Sequence, residues 1–113
     1  MTFEELKELR YLAKEKQFYY DKIKELKTRP HQNEESKQAI ELYMGIINKC
    51  AAQLLEGERF ITGIESAYFR HLFTLRFING ESWAKIALKM GGGNSADGIR
   101  KACVRYMEAH NKK

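Results

Sequence analysis

Ile40, Tyr43, Ile47, Cys50, Leu54, Gly57, Ile61 and Ile64 recur at alternating spacings of three and four residues, a heptad seam in which only Gly57 lacks a side chain. A seam this long winds as a helix, and its apolar stripe needs a cover. The same alternation passes through Leu9, Leu12, Tyr19, Ile23 and Leu26, broken at Lys16, with Phe3, Leu6 and Tyr20 widening the stripe at either end. Residues 2–27 therefore read as a first helix. Between the two, Thr28-Arg29-Pro30-His31-Gln32-Asn33 cannot continue it comfortably, because Pro30 lacks an amide hydrogen and pushes Arg29 out of the helical region. Asn33 suits the N-cap of the second helix. So short a connection favours an antiparallel helical hairpin whose second helix extends beyond the first. The two stripes serve either an intramolecular core or a coiled-coil dimer, and a hairpin that also dimerises satisfies both. Tyr11, Phe18, Tyr19 and Tyr20 read as packing rather than as a ligand cage.

At Glu65-Ser66 the pattern changes. A short apolar helix from Ala67 to Ile78 carries Phe69, Leu72, Phe73, Leu75 and Phe77 and stops at Asn79-Gly80. Ser82 caps a second short helix, with Trp83, Ile86, Ala87 and Met90 on its inner side, and Gly91-Gly92-Gly93 ends it. Asn94 or Ser95 opens the last helix, over 95–110, where Ile99, Cys103, Tyr106 and Met107 share a face and Arg100, Lys101 and Arg105 reach outward. The fold class expected is all-α: a long N-terminal antiparallel helical hairpin, residues 1–65, followed by a C-terminal helix-turn-helix module, residues 66–113, in one compact chain.

Charge separates the same two segments. Residues 1–65 hold 11 Lys and Arg against 12 Asp and Glu, whereas residues 66–113 hold 9 against 3, so the formal charge of +5 is carried by the second segment. A basic segment of this kind points to an anionic partner, most commonly nucleic acid, because each phosphate contact releases condensed counterions. No apolar run approaches the roughly 20 residues of a membrane span, and the acidic start, Met1-Thr2-Phe3-Glu4-Glu5, lacks the pattern of a secretory signal. A cytoplasmic protein without membrane contact is expected. Cys50 and Cys103 form no Cys-x-x-Cys pair and lack a His at zinc-ligand spacing, and His31, His71 and His110 are scattered; neither metal nor cofactor is expected. Nor is an enzyme: Glu56 and Glu58 point to different helix faces, and no nucleophile and base come together. The Gly91-Gly92-Gly93-Asn94-Ser95 run follows no strand and precedes no Gly-Lys-Ser or Gly-Lys-Thr, which sets a nucleotide loop aside in favour of a turn.

A helix-turn-helix packs one helix across the next so that the second enters the major groove with its N-terminal turns. Ala87 supplies the small residue for close approach, Ile86 and Ile99 the apolar packing, and the glycines the reversal. Here the sequence becomes specific. Leu75-Arg76-Phe77-Ile78-Asn79-Gly80-Glu81-Ser82-Trp83-Ala84-Lys85-Ile86-Ala87 resembles a stretch of small phage and prophage transcriptional regulators of Gram-positive bacteria, which are themselves similar to the fourth conserved region of bacterial sigma factors. Ile99-Arg100, with Arg105 beyond, is similar to the recognition helix of that region, and Leu9-Arg10-Tyr11-Leu12 and Ile23-Lys24-Glu25-Leu26 resemble the N-terminal helix of the phage group. Two departures stand out: Gly91–Gly93 with Asn94 replaces a shorter turn, and Gly98 stands where Thr is usual, softening the helix by up to ~1 kcal/mol relative to Ala.

The resemblance implies that Ser95, Ala96, Asp97 and Lys101 face bases, while Arg100 and Arg105 hold phosphates, with Ser82, Lys85 and Asn94 as further backbone contacts. Lys101 suits guanine; Asp97 either accepts from a cytosine amino group or favours the helix N-terminus electrostatically. Trp83 packs between helices and Arg76 pairs internally. The function expected is a sequence-specific regulator of double-stranded DNA acting as a homodimer, since one three-helix module buries little surface. The alternative is a phage protein that binds a host protein, RNA polymerase or another machine, with the helix-turn-helix as scaffold; a DNA-packaging subunit is a neighbouring possibility.

Overall fold

Each helix begins at a side chain able to satisfy its free amides. In this computed structural model, which describes residues 1–111, Thr2 and Glu5 bond reciprocally, each backbone N–H to the other's side-chain oxygen at 3.1 Å. This is a capping box that opens α1 (Phe3–Lys27). Before Pro30 the helix ends, and Gln32 Nε2 donates to the Leu26 and Arg29 carbonyls at 2.7 and 3.2 Å, taking up carbonyls the helix leaves open. Asn33 Oδ1 accepts from the Ser36 N–H at 2.8 Å and starts α2 (Glu34–Thr62), as its place in the sequence predicts. Ser66 caps α3 (Ala67–Phe73), Ser82 caps α4 (Trp83–Met90), and α5 is Ala96–Asn111. The described residues form an all-α fold without strands, with α1 and α2 packed as a pair, and none of its helices is long and apolar enough to cross a membrane.

Contacts divide the chain into two compact units. Tyr11–Glu56 is the helical hairpin proper. Its antiparallel register shows in the pairs: Tyr19 meets Tyr43 with ring centroids 5.0 Å apart, while Cys50, further along α2, feels the charges of Glu15 and Lys16, earlier in α1. Ile23, Ile47 and Cys50 are buried and Leu12, Tyr19, Leu26, Ile40, Tyr43 and Leu54 half-buried, so the heptad seam is covered from within the chain. Lys16, where the α1 stripe breaks, is half-buried like Leu12 and Tyr19 on either side of it, so the break is one of polarity and not of burial. The aromatic cluster of α1 does not pack as its composition suggests. Only Tyr19 enters the seam; Tyr11, Phe18 and Tyr20 stay 50%, 54% and 46% exposed, with Lys14 and Lys22 above the Tyr11 and Phe18 rings.

The second unit joins Met1–Arg10 to the described residues from Gly57 onward, a grouping different from residues 1–65 and 66–113. The reason is apolar: Phe3 meets Phe77 edge-on at 5.8 Å, and Leu6 and Leu9 are buried with Ile61, Ile64, Leu72 and Phe73. Gly57 is the position where α2 comes closest to Leu9; a Cβ there would lie 2.6 and 2.7 Å from the two Leu9 methyls. Aromatic rings then continue from Phe69 through Phe73 to Phe77, with Tyr106 of α5 stacked on Phe69 at 4.7 Å and edge-on to Phe73 at 5.4 Å. The helix predicted over Ala67 to Ile78 is present, but only its first half is α. From Thr74 to Ile78 it widens into a π-helical turn that the Asn79 N–H closes on the Thr74 carbonyl at 2.9 Å, and Thr74 Oγ1 bonds back to Arg70 O at 2.7 Å. The wider turn accommodates Leu75 and Phe77 in the core that Leu72 and Phe73 already occupy.

Candidate nucleic-acid interface

The α4–turn–α5 segment turns its small and branched side chains inward. Ile86 and Ala87 of α4 are buried, as are Ile99, Cys103 and Met107 of α5, and the two helices pack on each other. Ser82 Oγ accepts the Lys85 N–H at 3.2 Å and fixes the start of α4; the Gly91 N–H on the Ala87 carbonyl, at 3.2 Å, closes its end. Gly91, Gly92 and Gly93 then take φ of +67°, +68° and +74°, a run open to residues without a Cβ. Asn94 is used inside this turn, its amide Nδ2 donating to the Gly91 carbonyl. Ser95 Oγ accepts the Gly98 N–H at 3.0 Å and caps α5. The two serines and Asn94, expected at DNA, thus already hold backbone; the hydroxyl protons of Ser82 and Ser95 remain available to donate outward.

With the apolar face inward, Lys85, Arg100, Lys101 and Arg105 are exposed. Ala96 is half-buried and lies partly within the fold. Asp97 is exposed and holds two cations, Arg100 Nη2 at 2.9 Å and Lys101 Nζ at 3.0 Å, across the i+3 and i+4 spacings of one helix. Its hydrogen bonds from Lys101 and then Arg100 keep its carboxyl below the ordinary aspartate value, so it is a carboxylate at neutral pH. Asp97 and Lys101, expected to read bases, and Arg100, expected to hold a phosphate, thus form one charged cluster. Lys85 and Arg105 enter no ion pair among the described residues.

Arg76 is not part of this surface. Its guanidinium lies over the Trp83 ring, 4.4 Å from the centroid, and donates to the Glu81 carbonyl at 3.0 Å. Burial first, then the neighbouring Arg10, lowers its pKa from the ordinary arginine value. Trp83 in turn meets Phe77 edge-on at 6.4 Å, so arginine and tryptophan tie the π-helical turn to the start of α4. An ion pair between Lys89 and Glu81, unannounced in the sequence, neutralises a third cation of the module. No helical spacing signals it, because the two residues are eight apart and meet through the loop before α4. The cysteines are core thiols: burial pushes Cys103 up to about 12, and burial, followed by Glu15, raises Cys50. Neither is a nucleophile at neutral pH.

No family model, curated protein or solved structure gives a significant match to this chain.

Proposed function

We propose that this protein is a transcriptional regulator of phage or prophage type that binds double-stranded DNA in a sequence-specific manner, presenting the N-terminal turns of α5 to the major groove. The observation that carries the reading is the partition of the α4–turn–α5 segment: Ile86, Ala87, Ile99, Cys103 and Met107 buried on one side, Lys85, Arg100, Lys101 and Arg105 exposed on the other. Lys101 donates to guanine and Arg100 and Arg105 hold phosphates, while α1 and α2 bring two copies together on paired half-sites. Its test is binding of the purified full chain to duplexes from its own genomic neighbourhood, over a salt series, against random duplex. A site that survives competition supports a regulator; weak binding lost equally from all duplexes at physiological salt refutes it.

A second reading has its own support. Tyr11, Phe18 and Leu42 on α1 and α2 are half or more exposed, and apolar side chains at such positions suit a protein partner, RNA polymerase or another host machine, with the helix-turn-helix as scaffold. Substituting Arg100 and Lys101 by Ala separates the two, abolishing activity that depends on DNA and sparing activity that depends on the hairpin.

A further inference from the structure

Five Lys and Arg side chains lie on α4 and α5, namely Lys85, Lys89, Arg100, Lys101 and Arg105, and two carboxylates of the same module engage three of them. Glu81 takes Lys89. Asp97 takes both Arg100 and Lys101, one on each oxygen, at 2.9 and 3.0 Å. Asp97 is exposed, and exposed pairs open readily, so this clamp contributes little to folding. Its consequence lies in what the surface offers a polyanion. In the free protein the two cations nearest the start of α5 face a carboxylate as they would face a phosphate, and that carboxylate projects from the first turn, the part of a recognition helix closest to the groove.

A carboxylate is an acceptor only. In the major groove it is repelled by guanine O6 and N7 and by thymine O4; adenine sets its N6 amino donor beside the N7 acceptor, whereas the cytosine edge presents its amino donor without an acceptor beside it on the same base. We propose that Asp97 is the specificity-determining residue of this surface: it opposes duplex DNA of any sequence by engaging Arg100 and Lys101 and by its own charge, and only a cytosine amino group in the major groove offsets that opposition. Released by the same event, Lys101 is free for a guanine and Arg100 for a phosphate, so the favoured site carries a C·G pair at the Asp97 position. The inference rests on the DNA-binding reading.

The experiment compares the full-length protein with Asp97→Asn, Asp97→Ser and Glu108→Gln, the last removing one negative charge about three turns further along α5. Affinity for a labelled random-sequence duplex is measured by fluorescence anisotropy across a salt series, and each protein selects from a randomised duplex pool. Neutralising Asp97 lets its cations reach phosphate, and each further phosphate engaged steepens the salt slope by about 0.9 and tightens binding roughly eightfold at 0.1 M salt relative to 1 M. Both Asp97 variants are expected to gain that much on random duplex and to lose the C·G preference in the selected pool, whereas Glu108→Gln changes neither appreciably. Unchanged or weaker random-duplex binding by both Asp97 variants, or an equal gain from Glu108→Gln, overturns the role of Asp97 while leaving DNA binding intact. Failure of all four proteins to bind any duplex at low salt overturns the DNA reading itself, and this inference with it.

Discussion

Gly57→Ala should change the sign of its effect according to what stands at position 9. Gly57 sits in the interior of α2 at the one seam position without a side chain, and in a helix interior Ala is favoured over Gly by about 1 kcal/mol. The structure opposes that gain. The new methyl would lie 2.6 and 2.7 Å from the Leu9 Cδ atoms and 3.2 Å from its Cγ, and Leu9 is only 3% exposed, so its branch has little room to withdraw. Overpacking of this kind costs about 1–3 kcal/mol, which leaves Gly57→Ala destabilising by about 1 kcal/mol in the native background. Leu9→Ala alone costs about 2–5 kcal/mol through lost burial and a cavity. Once the Leu9 branch is gone, the methyl added at Gly57 fills vacated space, and helix preference plus about 0.8 kcal/mol of methyl burial make the same substitution stabilising by about 1–2 kcal/mol. The coupling is therefore about 2–3 kcal/mol, well above the few tenths expected of independent sites. Urea unfolding of the four proteins of the cycle, followed by circular dichroism in the far ultraviolet, measures it. A Gly57→Ala effect of the same sign and within about 0.5 kcal/mol in both backgrounds would refute the close approach of α1 and α2 at this point.

Lys101→Ala is expected to weaken DNA binding and relax preference at one base pair, while Arg105→Ala weakens it nearly equally on all sequences and reduces the salt slope by about 0.9; comparing both variants on cognate and random duplex checks the division of labour. Gly91→Ala should cost about 1–3 kcal/mol, because φ +67° with ψ −160° is a glycine-only region and the added methyl meets nothing within 4 Å, so the loss in urea midpoint reports backbone strain alone. Cys103, raised from 9.0 to about 12 in the folded chain, favours the native state fully below pH 9; above it the unfolded chain gives up its proton first, and stability falls by about 1.4 kcal/mol per pH unit toward pH 12. Urea midpoints between about pH 8 and 10.5 should fall more steeply for the native protein than for Cys103→Ala, and equal slopes would contradict the burial of that thiol.

The helices themselves were legible because their signals are local. A stripe repeating every three or four residues, a proline that stops α1, Asn33 and Ser82 at helix starts and three glycines between α4 and α5 each act on backbone within a few residues, and the elements follow them. The inward face of the helix-turn-helix was legible for the same reason, since Ile86, Ala87, Ile99, Cys103 and Met107 keep helical spacing. What the sequence left open depends on which stripe covers which. Whether the heptad seam meets a second copy or α1 is a question of chain geometry, and Tyr19 on Tyr43 is a contact between residues far apart in the chain. The grouping of the first ten residues with the C-terminal helices turns on Phe3 reaching Phe77 and on Leu6 and Leu9 joining the core there, none of which a local pattern encodes. The π-helical turn, the exposure of Tyr11, Phe18 and Tyr20 and the Lys89–Glu81 pair belong to the same class. Composition and periodicity determined that the chain is helical and which face of each helix is apolar; tertiary structure alone decided how those faces were shared out, because burial free energy depends on area removed from water and is indifferent to sequence separation.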